Sequence, residues 1–127
     1  MCSEFPYEFI IQGIYMMRCI PFKTQKETFI IPIDEILYIT QNKRCLVIKT
    51  TQREFVEYEK IENVLEYLDD SFFQCLKYTV LNMKQVRGFV DRKIIFANGD
   101  TFELGRDCFL RTRNSFITYI KEMKEKK

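Results

Sequence analysis

Apolar and polar positions alternate along the chain in short blocks, and the blocks read mostly as strands. From Ile14 to Phe22 the run IYMMRCIPF is rich in branched and large apolar residues, KTQKE breaks it, and TFIIPID resumes, which predicts two strands joined by a turn. Pro21 and Pro32 carry no ladder donor and belong at strand ends or edges. EILYIT (residues 35–40) predicts a buried strand with CLVIKT (residues 45–50) as its hairpin partner, so that Asn42, Lys43 and Arg44 form the tip between them. From Glu57 to Leu68 the period changes. Ile61, Val64, Leu65 and Leu68 recur at i, i+3, i+4 and i+7 among Glu57, Glu59, Glu62 and Glu66, predicting an acidic amphipathic helix packed on a sheet.

The strand pattern returns at Phe72. In KIIFANGDTFEL (residues 93–104), Asn98-Gly99 predicts a hairpin with a two-residue turn, which would set Ile95 opposite Phe102. Leu104 then leads into Gly105-Arg106. Phe109, Phe116, Ile120 and Met123 share roughly one face of a basic C-terminal helix. Residues 1–12 have no clear period and are assigned as an N-terminal extension, with residues 13–127 as one domain. Many short strands, two helical patches and no alternating βαβ order predict a mostly β fold.

Composition narrows the possibilities. A chain of 127 residues, 46% hydrophobic and 15% aromatic, can bury one sizeable core. The net charge of +2 is uninformative, but its distribution is not: residues 1–73 carry −4 and residues 74–127 carry +6. An anionic partner is expected on the second half, although the two halves could equally attract one another within the fold. The five cysteines (Cys2, Cys19, Cys45, Cys75, Cys108) are odd in number, spread out and lack a Cys-x-x-Cys pair, which reads as free thiols in a reducing cytoplasm. Cys19, Cys45 and Cys75 lie among apolar residues and are expected as core.

Without histidine, and with cysteines so spaced, neither a metal site nor a cofactor is expected. No Gly-rich phosphate loop and no nucleophile paired with a base is visible, which argues against an enzyme. The run from Phe9 to Ile20 is interrupted by Gln12, Gly13 and Arg18 and too short to span a bilayer, so no membrane insertion is expected.

Two features together carry a family resemblance. FFQCLKYTVLN (residues 72–82) is followed one hairpin later by Gly105-Arg106, and the whole order IDEILYIT, polar tip, LVIKT, amphipathic helix, DDSFFQCLKYTVLNMKQVRGF, KIIFANGDTFELGRD is similar to a LytTR DNA-binding domain from about Ile14 to Asp107. That resemblance implies an elongated stack of small antiparallel β-sheets whose loops enter successive major grooves of double-stranded DNA. It implies base contacts from Lys43 and Arg44 at the tip, from Asn82 closing the apolar strand, and from Arg106.

Arginine can donate bidentately to guanine, and asparagine can bond both amide groups to adenine. Asn42, Lys77, Tyr78, Lys84, Arg87, Arg111 and Arg113 would hold phosphates and fix the register. The pattern departs from the family at Leu76, Lys77 and Tyr78, where His and Ser are common, and at Thr40, where an acidic residue is usual. The resemblance further implies a cytoplasmic transcriptional regulator that pairs on repeated half-sites, the effector part of a response regulator in a two-component system, with a sensor kinase or a membrane-bound inhibitor as controlling partner. Only about a dozen residues precede the first predicted strand, so no receiver domain is expected on this chain. The competing expectation is a non-enzymatic β interaction module whose basic edge binds an acidic partner.

Overall fold

A computed structural model describes residues 8–11 and 15–125, with side chains from residue 18 to 124. Eleven strands among these residues form three antiparallel sheets. The first sheet contains β1 (Glu8–Ile11), β2 (Tyr15–Lys23) and β3 (Thr28–Pro32), with β2 in the middle. The second, five-stranded sheet has the order β6-β5-β4-β8-β7, formed by β4 (Ile36–Asn42), β5 (Cys45–Thr50), β6 (Glu54–Tyr58), β7 (Phe72–Leu76) and β8 (Thr79–Asn82). The third has the order β11-β10-β9, from β9 (Val86–Val90), β10 (Lys93–Phe96) and β11 (Thr101–Glu103).

Period-2 alternation on the central sheet produces two cores, one on each of its faces. Ile36, Ile39, Leu46, Ile48, Phe55 and Val80 pack with Ile20, Phe22 and Ile31 of the first sheet. On the other face, Leu37, Cys75 and Leu81 pack with Ile94, Phe96, Leu104 and Cys108. The layers are therefore first sheet, central sheet, then third sheet with the long helix α2 (Arg106–Glu125). The mostly β pattern of the sequence is borne out, as is the stack of small antiparallel sheets that the resemblance implies. Pro21 and Pro32 fall as expected: Pro21 lies beyond the part of β2 that pairs with β1, and Pro32 ends β3.

Four local expectations are corrected. Glu8–Ile11, in the segment assigned as an extension, pairs with β2 from Glu8 opposite Arg18 to Ile11 opposite Tyr15. The helix expected over Glu57 to Leu68 shrinks to α1 (Glu62–Leu65). Glu57 and Tyr58 belong to β6, opposite Leu46 and Cys45, because burying Phe55 against Phe22 and completing the ladder with β5 outweighs helical periodicity. The apolar stripe still does its packing, since Ile61 and Val64 are buried and Leu65 and Leu68 lean on the same core.

The Asn98-Gly99 hairpin forms, but its loop has three residues. Phe96 N–H bonds Asp100 O, Gly99 N–H bonds Phe96 O, and only Gly99 (φ 94°) is left-handed. A loop of this length, with glycine at its positive-φ position, shifts the register by one, so Ile94 rather than Ile95 faces Phe102. The two-residue turn with positive φ at both positions lies one connection earlier, at Asp91 (φ 51°) and Arg92 (φ 65°).

Finally, α2 buries Cys108 and Thr112 with Tyr119 half-buried, while Phe109 and Phe116 flank that line and pack near Phe89. Ile120 and Met123 are exposed, as are Leu110 and Ile117, because the line from Cys108 to Tyr119 follows the sheet surface and the expected stripe diverges from it.

Candidate nucleic-acid interface

Strand β4 runs toward the tip Asn42–Arg44, and its antiparallel neighbour β8 begins at the same end, with Thr40 opposite Thr79. The tip and the Lys77-Tyr78 turn between β7 and β8 therefore lie side by side. Gln41 joins them. Its backbone N–H donates to the Tyr78 carbonyl at 2.9 Å, its Nε2 donates to the Lys43 carbonyl at 2.8 Å, and its Oε1 accepts the Ile61 N–H at 2.9 Å. One side chain thus braces the tip, the neighbouring turn and the entry to α1.

Lys43 has φ 62°, a left-handed value at which glycine would be easier, and it keeps an exposed cationic side chain there. Arg44 Nη1 donates to the Tyr58 hydroxyl at 2.8 Å. Lys43, Arg44, Tyr58, Lys60 and Asn63 line a cleft beside the tip. In the adjacent turn the Lys77 ammonium lies 5.3 Å from the centroid of the half-exposed Tyr78 ring.

Arg106 is exposed at the first residue of α2. The Leu104 N–H donates to the Arg92 carbonyl at 2.9 Å, which brings the left-handed Asp91-Arg92 turn beside Gly105-Arg106. Cys108 Sγ and the Arg111 guanidinium both donate to the Cys75 carbonyl. The first turns of α2 are thereby fixed to the end of β7, two residues before Lys77. Burial and the neighbouring Cys108 push the Cys75 thiol up to about 12, so it remains protonated and inert at neutral pH. Cys45, expected in the core, is exposed at the start of β5, and Cys2 lies outside the described residues.

Asn82 departs furthest from expectation. It is fully buried. Its Nδ2 donates to the carbonyls of Ile36 (2.8 Å) and Ile33 (3.3 Å), and its Oδ1 accepts from Lys84 N–H (3.0 Å) and lies 3.2 Å from Ser71 Oγ, whose proton is shared with Asp69 at 2.6 Å. An amide so enclosed has no edge to offer a base. The assignment of Asn82 as a reader is corrected: it locks the far end of β8 to the connection before β4.

Lys84 lies just past that same far end, and β8 alone puts about 10 Å between this end and the Lys77-Tyr78 turn. Lys84 pairs with Asp34 at 3.0 Å and Asp69 at 3.8 Å. Partial burial lowers its affinity for a proton, but the two carboxylates outweigh this and raise its pKa. Two carboxylates already hold the Lys84 ammonium at this end of β8, away from the tip, which counts against the phosphate contact expected of it. Arg87 donates to the Lys84 and Val86 carbonyls and belongs to the same far end. Arg111 is partly committed to β7, whereas Arg113 is exposed on α2.

The candidate surface is thus Asn42, Lys43, Arg44, Lys77, Tyr78 and Arg106, to which the structure adds Gln41, Tyr58, Lys60 and Arg92. Nothing local in the sequence marks these four. Tyr58 reaches Arg44 only through the pairing of β6 with β5, and Arg92 is brought toward Gly105-Arg106 only through the bond of its carbonyl to Leu104 N–H.

The family model for the LytTr DNA-binding domain matches residues 26–116. The chain belongs to the LytTR family. The match begins before β3 and continues into α2, so it spans the tip, the Lys77-Tyr78 turn and Arg106. Among solved structures, the chain is similar to the LytTr DNA-binding domain of a protein described as a methyl-accepting/DNA response regulator from Bacillus cereus. The TM-score is 0.58 at 14% identity, over 82% of this chain and 94% of that one. At that identity the likeness concerns the fold, and it agrees with the stacked sheets. No curated protein matches the chain. Membership of this DNA-binding family carries DNA binding and a place in transcription regulation. Among the described residues, no helix is long and apolar enough to cross a membrane.

Proposed function

We propose that this LytTR domain is a sequence-specific regulator that reads double-stranded DNA through turns inserted in the major groove, with Arg44 and Arg106 as principal readers. The observation that carries this reading is the pair of turns at one end of β4 and β8, braced by Gln41 and presenting Lys43, Arg44, Lys77 and Tyr78 outward. A lysine kept at a left-handed position supports it, since retaining that side chain against backbone preference indicates a use for its charge.

Arg106 supports it from the other side. A cation at the first residue of a helix opposes the helix dipole, so Arg106 is poorly explained by stability. Lys43, Lys77 and Arg113 supply phosphate contacts that set register, and Asn42 and Tyr78 add neutral donors. Binding in pairs to repeated half-sites in the cytoplasm, under a sensor kinase or a membrane-bound inhibitor, completes the proposal.

The test is a gel-shift titration of the chain against fragments of the DNA flanking its own gene and against random duplex, at two salt concentrations. Arg106→Ala is expected to lose about 1–3 kcal/mol of discrimination between cognate and altered sites. Lys77→Ala should weaken all duplexes alike and reduce the salt slope by about one phosphate's worth. Equal loss on cognate and random DNA for Arg106→Ala would remove it as a reader. Wild-type binding that salt erases equally on every fragment would favour the interaction-module reading.

A further inference from the structure

Tyr58 ends β6 directly opposite Cys45 and is 72% exposed. Its ring therefore contributes little to either core, and its hydroxyl meets the guanidinium of Arg44 at 2.8 Å. Gln41 independently fixes the backbone of the tip through the Lys43 carbonyl. Backbone and side chain at the tip are thus held by two different residues on two different elements.

We infer that Tyr58 is a positioning residue for DNA discrimination: its hydroxyl holds Arg44 in a preset orientation from which the remaining guanidinium donors address a base edge. This rests on Arg44 being a reader. An arginine carries five N–H donors, so one committed to Tyr58 leaves four, enough for the bidentate contact with guanine N7 and O6. A long side chain on an exposed turn otherwise samples many rotamers, and ordering it on contact with DNA opposes binding. Holding the guanidinium beforehand reduces that cost at the correct base. It also penalises a wrong base, because a tethered arginine cannot swing away to find another acceptor. Arg44 and Tyr58 themselves line the cleft beside the tip, together with Lys43, Glu59, Lys60 and Asn63, so the pair is open to solvent on that side.

The experiment uses the full chain and a duplex that the wild-type chain enriches from a random-sequence library, compared with the same duplex altered at single base pairs and with random duplex. Tyr58→Phe removes the hydroxyl alone. The expected result is a roughly 3- to 10-fold fall in the ratio of cognate to altered-site affinity, the size expected for ordering one long side chain. The fall should be confined to the base pair at which Arg44→Ala also loses discrimination. The salt slope and melting temperature should not change, and Tyr58→Phe should have no further effect in an Arg44→Ala background.

Unchanged discrimination in Tyr58→Phe would overturn the inference. So would an equal loss on cognate and random DNA, which would make the tyrosine a backbone contact, or an equal loss with Arg44 already removed. If the wild-type chain enriches no sequence at all, the reading of the domain as sequence-specific fails first and the inference falls with it. If wild type discriminates and Tyr58→Phe matches it, the inference alone fails.

Discussion

Asn82→Ala separates a structural role from a reading role more sharply than any other substitution in the chain. The amide is fully buried and bonds Ile33 O, Ile36 O and Lys84 N–H, with Ser71 Oγ 3.2 Å from its Oδ1 as a fourth partner whose one proton lies toward Asp69. Two of these partners keep other bonds after truncation. Ser71 Oγ still donates to Asp69 at 2.6 Å, and the Ile33 carbonyl still accepts the N–H of Ile36. The loss therefore concentrates on the Ile36 carbonyl and the Lys84 N–H. At about 1–3 kcal/mol for each buried group deprived of its partner, with the weaker figure for the half-buried Lys84 amide, the expected destabilisation is about 3 kcal/mol. For a domain of this size that lowers the melting temperature by about 10 °C. Urea and thermal denaturation by circular dichroism measure it. DNA titrations well below the transition should show unchanged discrimination between cognate and altered sites. A variant that melts within a degree or two of wild type and selectively loses one base preference would refute the burial reasoning and restore Asn82 as a reader.

Other outcomes follow from the same geometry. Burial raises the pKa of the Asp69 carboxyl, but two hydrogen bonds from Ser71 and the nearby Lys84 and Arg18 outweigh it and leave the pKa lowered. A depressed carboxylate contributes stability above its unfolded value of about 3.9, lost as pH falls through the lower folded value. Asp69→Asn should therefore be less stable than wild type at pH 7, and denaturation midpoints of the two should converge below about pH 4. Lys84→Ala should lower stability slightly and leave the salt slope of DNA binding unchanged, because its charge is matched by Asp34 and Asp69. A flattened slope would return it to the interface. Arg92→Gly relieves a left-handed residue and should stabilise the fold by about 1 kcal/mol, seen as a melting point about 4 °C higher. If the melting point falls instead, the Arg92 side chain contributes packing or pairing that outweighs its backbone strain.

Features whose causes are local were legible in the sequence. The tip Asn42–Arg44 is a polar break between two alternating runs, and the stripe Ile61, Val64, Leu65 and Leu68 reports a buried face whichever element carries it. Errors arose where a distant partner decides. Glu57 and Tyr58 follow a helical period but are claimed by β5, and the Asn98-Gly99 loop takes a third residue because Ile94 and Phe96, not Ile95, fit the core. Asn82 illustrates the limit: its partners sit at residues 33, 36, 71 and 84, so no window around it distinguishes a buried lock from an exposed reader. Lys84 is hidden for the same reason, neutralised by an aspartate fifty positions earlier. The charge asymmetry placed an anionic partner on the second half, whereas the surface proposed above also draws on Lys43 and Arg44 from the acidic half.

Strand β4 is hydrogen-bonded on both edges, to β5 and to β8, and covered on both faces. Amides so placed open to solvent only when the whole domain opens, so Ile39 and Thr40 should be among the slowest in the chain to exchange with deuterium. The turns carrying Arg44 and Lys77 are rooted at the end of that strand. Their geometry should survive warming until the domain itself gives way, so that affinity for a cognate duplex collapses together with the fold and not ahead of it.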